Sequence, residues 1–402
     1  MPLLPFNEAR ALITARMAEG PALRPPETTT LDQALGRVLA KNTVADRDYP
    51  PFNRSTRDGY AVIASDVSDP PAVLEVIGET RAGEASLFRI EGGQTVQIMT
   101  GAPGPEGADA VVMQEYSQRD GRQVRLDRGV PSGKNLIFQG SESREGAVVL
   151  EAGTLLGYPE IALLGSVGCD RVTVHRRPEV AILSTGDEVL PIEAAPEPYQ
   201  IRNSNAYSLA AQVLRAGGEP RILPIAPDVH DRTRDLIEDG LRSELLLLSG
   251  GVSVGKYDFV ESALRDLGAE FFITSVAIQP GKPLVFAKVG GKPVFGLPGN
   301  PISTMVTFEL FARLAIDWLA GRKDSPLRFT SARLFNDFKH KPVLTRFLPA
   351  VLSGDYGDVR VDPVQWQGSG DLVALARADC FLVATPDRDF WKAGEWISIL
   401  PR

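Results

Sequence analysis

The sequence predicts a multidomain α/β protein: an open, mostly parallel α/β sheet domain with an inserted β domain, a linker domain in two segments and a small C-terminal β domain. Three observations predict it. A chain of 402 residues is too long for one ordinary core. From Arg177 to Lys323, short apolar runs alternate with helical stretches, the texture of βαβ units. On either side, 53–140 and 324–402 carry short strand-like runs broken by Gly, Pro and Asp. The expected boundaries are 1–50 with 141–177 for the linker domain, 51–140 for the insert, 178–323 for the α/β domain and 324–402 for the C-terminal domain.

Taken in order, residues 6–19 read as a first helix, with Ala11, Leu12, Ala15 and Ala18 on one face. Thr30 to Leu39 reads as a second, with Leu31, Leu35, Val38 and Leu39 as its stripe. Tyr49-Pro50-Pro51-Phe52 stops regular structure. Strands are expected at Tyr60–Ile63, Val73–Ile77, Thr95–Ile98, Ala110–Met113 and Gln123–Leu126. A helix starting near Pro159 and a strand over Asp170–His175 could rejoin the N-terminal segment in space, leaving 53–140 as an insertion.

The α/β region then runs strand Val180–Leu183, helix Asn203–Arg215, strand Arg221–Ile225 and helix Asp231–Leu241. The unbroken run Leu245–Leu248 suits a strand covered on both faces. Phe271–Ile278, Leu284–Ala287 and Val294–Gly296 follow, and Pro301 suits the first turn of a long helix ending at Leu319. Residues 324–402 return to β, with a turn at Gly368-Ser369-Gly370.

The hydrophobic fraction of 43% and charged fraction of 23% are those of a globular protein. A net charge of −8 gives no case for nucleic acid or an anionic membrane surface. Two cysteines, Cys169 and Cys380, provide neither a disulfide framework nor a thiolate metal cluster, and the three histidines are scattered. The N-terminus lacks a signal peptide's apolar core, and no apolar run is long enough to span a bilayer. A cytoplasmic location is expected.

The position of the polar loops matters most. Thr185-Gly186-Asp187-Glu188, Asp228, Ser249-Gly250-Gly251 and Pro298-Gly299-Asn300-Pro301 each follow an expected strand. In an open parallel sheet those carboxyl ends share one edge, where ligands bind. Gly250, Gly251, Ser253 and Gly299 offer N–H donors and close backbone approach to an anion. Glu188, Asp228 and Asp258 are aimed at the same region; acids beside a phosphate imply an intervening divalent cation such as Mg²⁺. Lys282 and Lys256 would neutralise oxyanion charge. For Asp228 and Asp258, helix capping is the competing reading.

Gly250, Gly255 and Lys256 also fit most of a GxxxxGK[ST] phosphate loop, but Tyr257 stands where the compact hydroxyl is needed. A tight glycine turn is the bland alternative. No GxGxxG with a ribose-binding acid, no G-x-S-x-G and no HExxH occurs, against dinucleotide oxidoreduction and familiar hydrolases.

Six stretches together resemble one family: Asp58-Gly59-Tyr60-Ala61, Met99-Thr100-Gly101-Ala102-Pro103, Ser184-Thr185-Gly186-Asp187-Glu188, Ser249 to Gly255, Pro280-Gly281-Lys282-Pro283 and Gly296 to Pro301. The chain resembles the molybdopterin molybdenumtransferases, of the MoeA and gephyrin E-domain type. The resemblance implies a homodimer of four-domain subunits, with a C-terminal β-barrel and an α/β domain similar to pterin-binding proteins. It implies insertion of molybdate into adenylylated molybdopterin with release of AMP, using Mg²⁺. It places Asp58, Thr100, Glu188, Asp228, Asp258 and Lys282 as catalytic residues, with Glu188, Asp228 and Asp258 on the metal. Thr185, Gly186, Asp187, Ser249, Gly250, Gly251, Ser253, Pro298, Gly299, Asn300, Pro301 and Ser369 would bind substrate or phosphate. The cleft would lie between the α/β domain of one subunit and the inserted β domain of the other. The molybdopterin adenylyltransferase and other cofactor-biosynthesis proteins are candidate partners.

The chain departs from the family pattern at Arg57, Lys256, Gln279 and the run Ile137 to Ser143. Those departures motivate an alternative, a catalytically weakened paralogue that binds pterin or acts as a scaffold.

Overall fold

Helix α1 (Phe6–Ala18) buries Ala9, Ile13 and Met17, spaced one turn apart on a single face. In this computed structural model, which describes residues 3–20, 23–251, 259–322 and 326–402, α1 packs beside a six-stranded sheet. The elements of that region are β1 (Glu179–Ser184), α2 (Ser204–Arg215), β2 (Glu219–Ile222), α3 (His230–Gly240), β3 (Leu245–Ser249), α4 (Phe259–Asp266), β4 (Glu270–Ser275), β5 (Pro283–Val289), β6 (Lys292–Leu297) and α5 (Pro301–Thr307). The sheet order is β2-β1-β3-β6-β5-β4. The β1–β2, β1–β3 and β3–β6 pairs are parallel, and β5 and β4 add an antiparallel edge.

The continuous apolar runs of β1 and β3 follow from burial on both faces. Val180, Ile182, Leu245 and Leu247 enter one core with α1, α2 and α5. Ala181, Leu183, Leu246 and Leu248 enter the other with residues of α3 and α4. At about 25 cal/mol per Å² of apolar surface, the valine, leucine and isoleucine side chains among them contribute roughly 1.5–3 kcal/mol each. The expected long helix runs from Pro301 to Leu319, with a π turn at Phe308–Ala312 before α6 (Arg313–Leu319).

Every strand expected in the insert forms, in a second six-stranded sheet that gains Ser117–Asp120 at its edge. Its two faces close over separate cores, one around Tyr60 and Leu126, the other around Ile98 and Val111. Outside it, Glu27–Thr30 pairs with Arg171–Val174, and Thr43–Val44 with Val148–Leu150.

The expected second helix does not form. Thr28 to Thr30 join the strand against Arg171–Val174, and only a short 3₁₀ turn, Leu31–Gln33, follows. Gly36, at φ +74°, is left-handed in the middle of the expected helix, and Leu35 of the expected stripe is exposed. β-branched pairing across sequence overrides the local apolar spacing.

At the C-terminus, strands Thr330–Leu334, Thr345–Ser353, Arg360–Pro363, Cys380–Ala384 and Trp396–Pro401 close into a five-stranded barrel. Its Phe347, Phe381 and Leu400 join the core shared by α1 and the sheet. Phe6 packs edge-on to Phe311, with ring centroids 5.8 Å apart, and lies 5.7 Å from Phe347. The chain is thus an open, mostly parallel α/β sheet with a β insert and a C-terminal barrel.

Candidate active site

The parallel register aligns the strand ends: Ser184 of β1 lies opposite Ser249 of β3, and Ser249 opposite Leu297 of β6. Backbone hydrogen bonds carry the alignment into the loops. Thr185 N donates to Ser249 O at 3.1 Å, Gly250 N to Leu297 O at 3.2 Å, and Gly186 N to Ala226 O at 3.1 Å. The loops after β1, β2, β3 and β6 therefore form one laced ledge at the carboxyl edge of the sheet.

A cavity of about 480 Å³ opens on this ledge, a size usual for small-molecule sites. Thr185, Gly186, Glu188 and Asp228 line it, as do Ser249, Gly250, Gly251 and the run Pro298 to Pro301. Close packing explains the glycines. Gly250 sits at φ +94°, and a Cβ there would lie 2.9 Å from Thr185 O. Gly186 sits at φ +130°, and a Cβ there would lie 2.5 Å from Glu188 Oε2. Glu188 therefore folds its carboxylate back over Gly186, whose positive φ favours glycine and where an added Cβ would displace that carboxylate.

The acids form a cluster. Asp228 N donates to Asp187 Oδ1 at 3.0 Å. Burial first, then the charge of Asp187 and, more weakly, that of Glu188 push the Asp228 carboxyl above the ordinary aspartate range. Asp187 itself lines an adjoining cavity of about 520 Å³, with Pro191 and Tyr207.

Two polar atoms at the cavity have no hydrogen-bond partner although buried: Thr185 Oγ1 and Asn205 Oδ1. A buried polar group without a partner is costly, and a ligand donor would relieve it. Asn205 was not among the residues expected here. Its Nδ2 donates to Ser249 Oγ at 2.9 Å and to Gly299 O at 2.7 Å, tying the end of β3 to the loop after β6. Asn203 also lines the cavity; its Oδ1 accepts from Ala206 N at 3.2 Å, capping α2, and from Ser184 Oγ at 2.8 Å. The stretch Arg202-Asn203-Ser204-Asn205 reads locally as a helix start. Two amides in the first turn, on the ledge side of α2, were the available signal.

Several expected residues lie elsewhere. Lys282 is exposed and outside the cavity lining, although its neighbour Pro283 lines the cavity. Ser369 acts through its backbone: its carbonyl accepts from Ile302 N at 2.9 Å, in the first turn of α5. Asp58 and Thr100 come together in the insert, where Asp58 Oδ1 accepts from Thr100, and neither lines the cavity. Ser253, Lys256 and Asp258 lie outside the described residues. Among the described residues, no group of three or more His, Cys, Asp or Glu is placed to hold a metal ion.

Fold and ledge together define the class: a multidomain protein with a ligand-sized cavity at the carboxyl edge of an open α/β sheet. Three family models match in sequence. The MoeA N-terminal region (domain I and II) matches residues 4–168, a probable molybdopterin binding domain 181–318, and the MoeA C-terminal region (domain IV) 331–401. A molybdopterin molybdenumtransferase of Bacillus subtilis is 35% identical over 384 residues, covering 93% of this chain and 89% of that one. One from Nostoc is 39% identical over 387 residues, covering 93% of this chain and 88% of that one. The crystal structure of a molybdopterin biosynthesis MoeA protein from Pyrococcus horikoshii OT3 superposes with a TM-score of 0.80 at 28% identity, over 100% of both chains.

The chain belongs to the molybdopterin molybdenumtransferase family, and its function is in molybdenum cofactor biosynthesis. The weakened-paralogue and nucleotidase alternatives are not favoured by these relatives.

Proposed function

We propose that this chain takes adenylylated molybdopterin and molybdate, inserts the metal and releases AMP. The observation that carries the reading is the laced ledge, where Thr185 and Asn205, each with a buried partnerless oxygen, line a cavity of ligand size. The loops after β3 and β6 bring backbone close enough to cradle phosphate oxygens, and α5 begins beside them. Glu188 and Asp228 fit a Mg²⁺ ion, which takes one or two protein carboxylates and leaves its other positions to water and phosphate. The raised Asp228 carboxyl marks acid density that a cation would neutralise. When bound, the ion would offset phosphate charge as AMP departs. The chain's own contribution is to position the substrates and to aim fixed N–H groups at developing negative charge. Asp258, Ser253 and Lys282 are proposed to complete the site.

Asp58 and Thr100 have no role within one chain's cavity, which supports a homodimer whose cleft takes the insert from the second subunit. We assign four domains: 1–50 with 141–177, 51–140, 178–323 and 324–402. The pairing of Glu27–Thr30 with Arg171–Val174 supports the two-segment first domain. Among the described residues no helix is long and apolar enough to cross a membrane; a cytoplasmic location and dealings with the molybdopterin adenylyltransferase belong to this reading.

The test is direct. Purified protein with Mg²⁺, molybdate and adenylylated molybdopterin should release AMP and form active cofactor, assayed by reconstitution of an apo-molybdoenzyme. Binding without AMP release would sink the proposal.

A further inference from the structure

A third cavity, of about 490 Å³, lies away from the ledge between α1, α2, α6 and the C-terminal barrel, and shares no lining residue with the two at the ledge. It is lined by Arg10, Arg215, Arg313, Arg322, Arg328 and Arg402. In a chain of net charge −8, six guanidinium groups in one pocket run against the overall field. Carboxylates answer only part of this charge. Glu309, in the π turn, accepts from Arg215, from Gln212 Nε2 at 2.8 Å and from Arg313 at 3.2 Å. Asp317 pairs with Arg313 at 3.8 Å and Arg322 at 3.7 Å. Arg328 and Arg402 have no carboxylate partner among the described residues.

Two further details favour an anionic ligand. Arg313 Nε is buried without a hydrogen-bond partner, its ion pair with Asp317 Oδ2 being stretched to 3.8 Å. Arg10 is lowered to about 10, chiefly by burial and further by the charge of Arg313, with Asp317 opposing. Six guanidiniums lining one cavity favour an anionic ligand, and their planar donors match phosphate oxygens two at a time. Leu314, Leu327, Phe381 and Leu400 supply an apolar wall in the same cavity.

We propose that this pocket binds a small organic phosphate, its phosphate among the guanidiniums and its organic part against Phe381 and Leu400. The site is separate from the transferase ledge and does not depend on the reaction proposed for it. ADP serves as the probe, titrated calorimetrically against the full chain. Arg328→Ala with Arg402→Ala should weaken one ADP-binding event at least tenfold and leave AMP release from adenylylated molybdopterin unchanged. Arg328→Lys with Arg402→Lys should recover part of the affinity, and raised salt should weaken the event in the parent protein. Asn205→Ala, at the ledge, should leave this event intact. ADP binding unaltered in the alanine pair, or abolished entirely by Asn205→Ala, would overturn the proposal. So would an alanine pair that changes the association of copies in sedimentation without touching ADP binding, because a second chain would then be what covers the pocket.

Discussion

Asp58 Oδ1 accepts two hydrogen bonds from one residue, the backbone N–H of Thr100 at 2.6 Å and its hydroxyl at 2.7 Å. The hydroxyl and then the backbone N–H hold the Asp58 carboxyl below the ordinary aspartate range. Both residues are exposed, so the pair is a preformed, ionised surface group and not a core contact.

Thr100→Val keeps the shape and removes one of the two donors. The Asp58 carboxyl should then titrate higher, seen by carbon NMR of the side chain. Because the folded value is depressed, its contribution to stability is present above the unfolded value and lost as pH falls through the folded one. In the variant that contribution should be smaller and its loss complete at higher pH. If Asp58 completes the cleft of a second subunit, AMP release should also fall, on the order of tenfold.

Asn205→Ala cuts the tie between the end of β3 and the loop after β6. Two side-chain hydrogen bonds at about 0.5–1.5 kcal/mol each predict a small drop in thermal stability. The larger effect should appear in KM for adenylylated molybdopterin, which should rise as the ledge loosens. An unchanged KM would show that Asn205 is a helix residue and nothing more.

Gly186→Ala and Gly36→Ala separate strain from crowding. Both positions have positive φ, but a Cβ at Gly36 meets nothing within 4 Å, whereas at Gly186 it meets the Glu188 carboxylate. Each should cost about 1–3 kcal/mol through the backbone. Gly186→Ala alone should also abolish most AMP release, because Glu188 must move.

Asp228 offers a pH test. Its folded value is raised, so the stability it contributes is present below the unfolded value and lost as pH rises through the folded one. Asp187→Asn should lower that folded value and narrow the window. Mg²⁺ should raise the melting temperature above the window and have a smaller effect in Asp228→Asn, read by calorimetry.

The ledge was legible in the sequence because two simple rules meet there: strands buried on both faces are apolar throughout, and ligands sit where parallel strands end. Thr185, Gly250 and Asn300 all fell where those rules put them. Asn205 was not legible, since a helix start and a loop clamp use the same residue type. The strand at Glu27–Thr30 was hidden for a different reason. Its partner lies at Arg171–Val174, far along the chain, and the apolar spacing of Leu31, Leu35 and Val38 mimics a helix. Lys282 followed the motif but not the cavity; the chain's own fold leaves its side chain exposed.

The insert encloses two cores that share no residue with the core joining α1, the sheet and the barrel. It meets the first domain through contacts such as Gly140 N to Pro50 O at 2.9 Å and Gln139 Nε2 to Asp48 Oδ2 at 3.2 Å. Cooperativity therefore has a seam. Heating should melt the insert in its own transition while the sheet and barrel remain folded. The same seam lets inheritance alter the bearing of Asp58 and Thr100 one residue at a time, leaving the ledge they would serve intact.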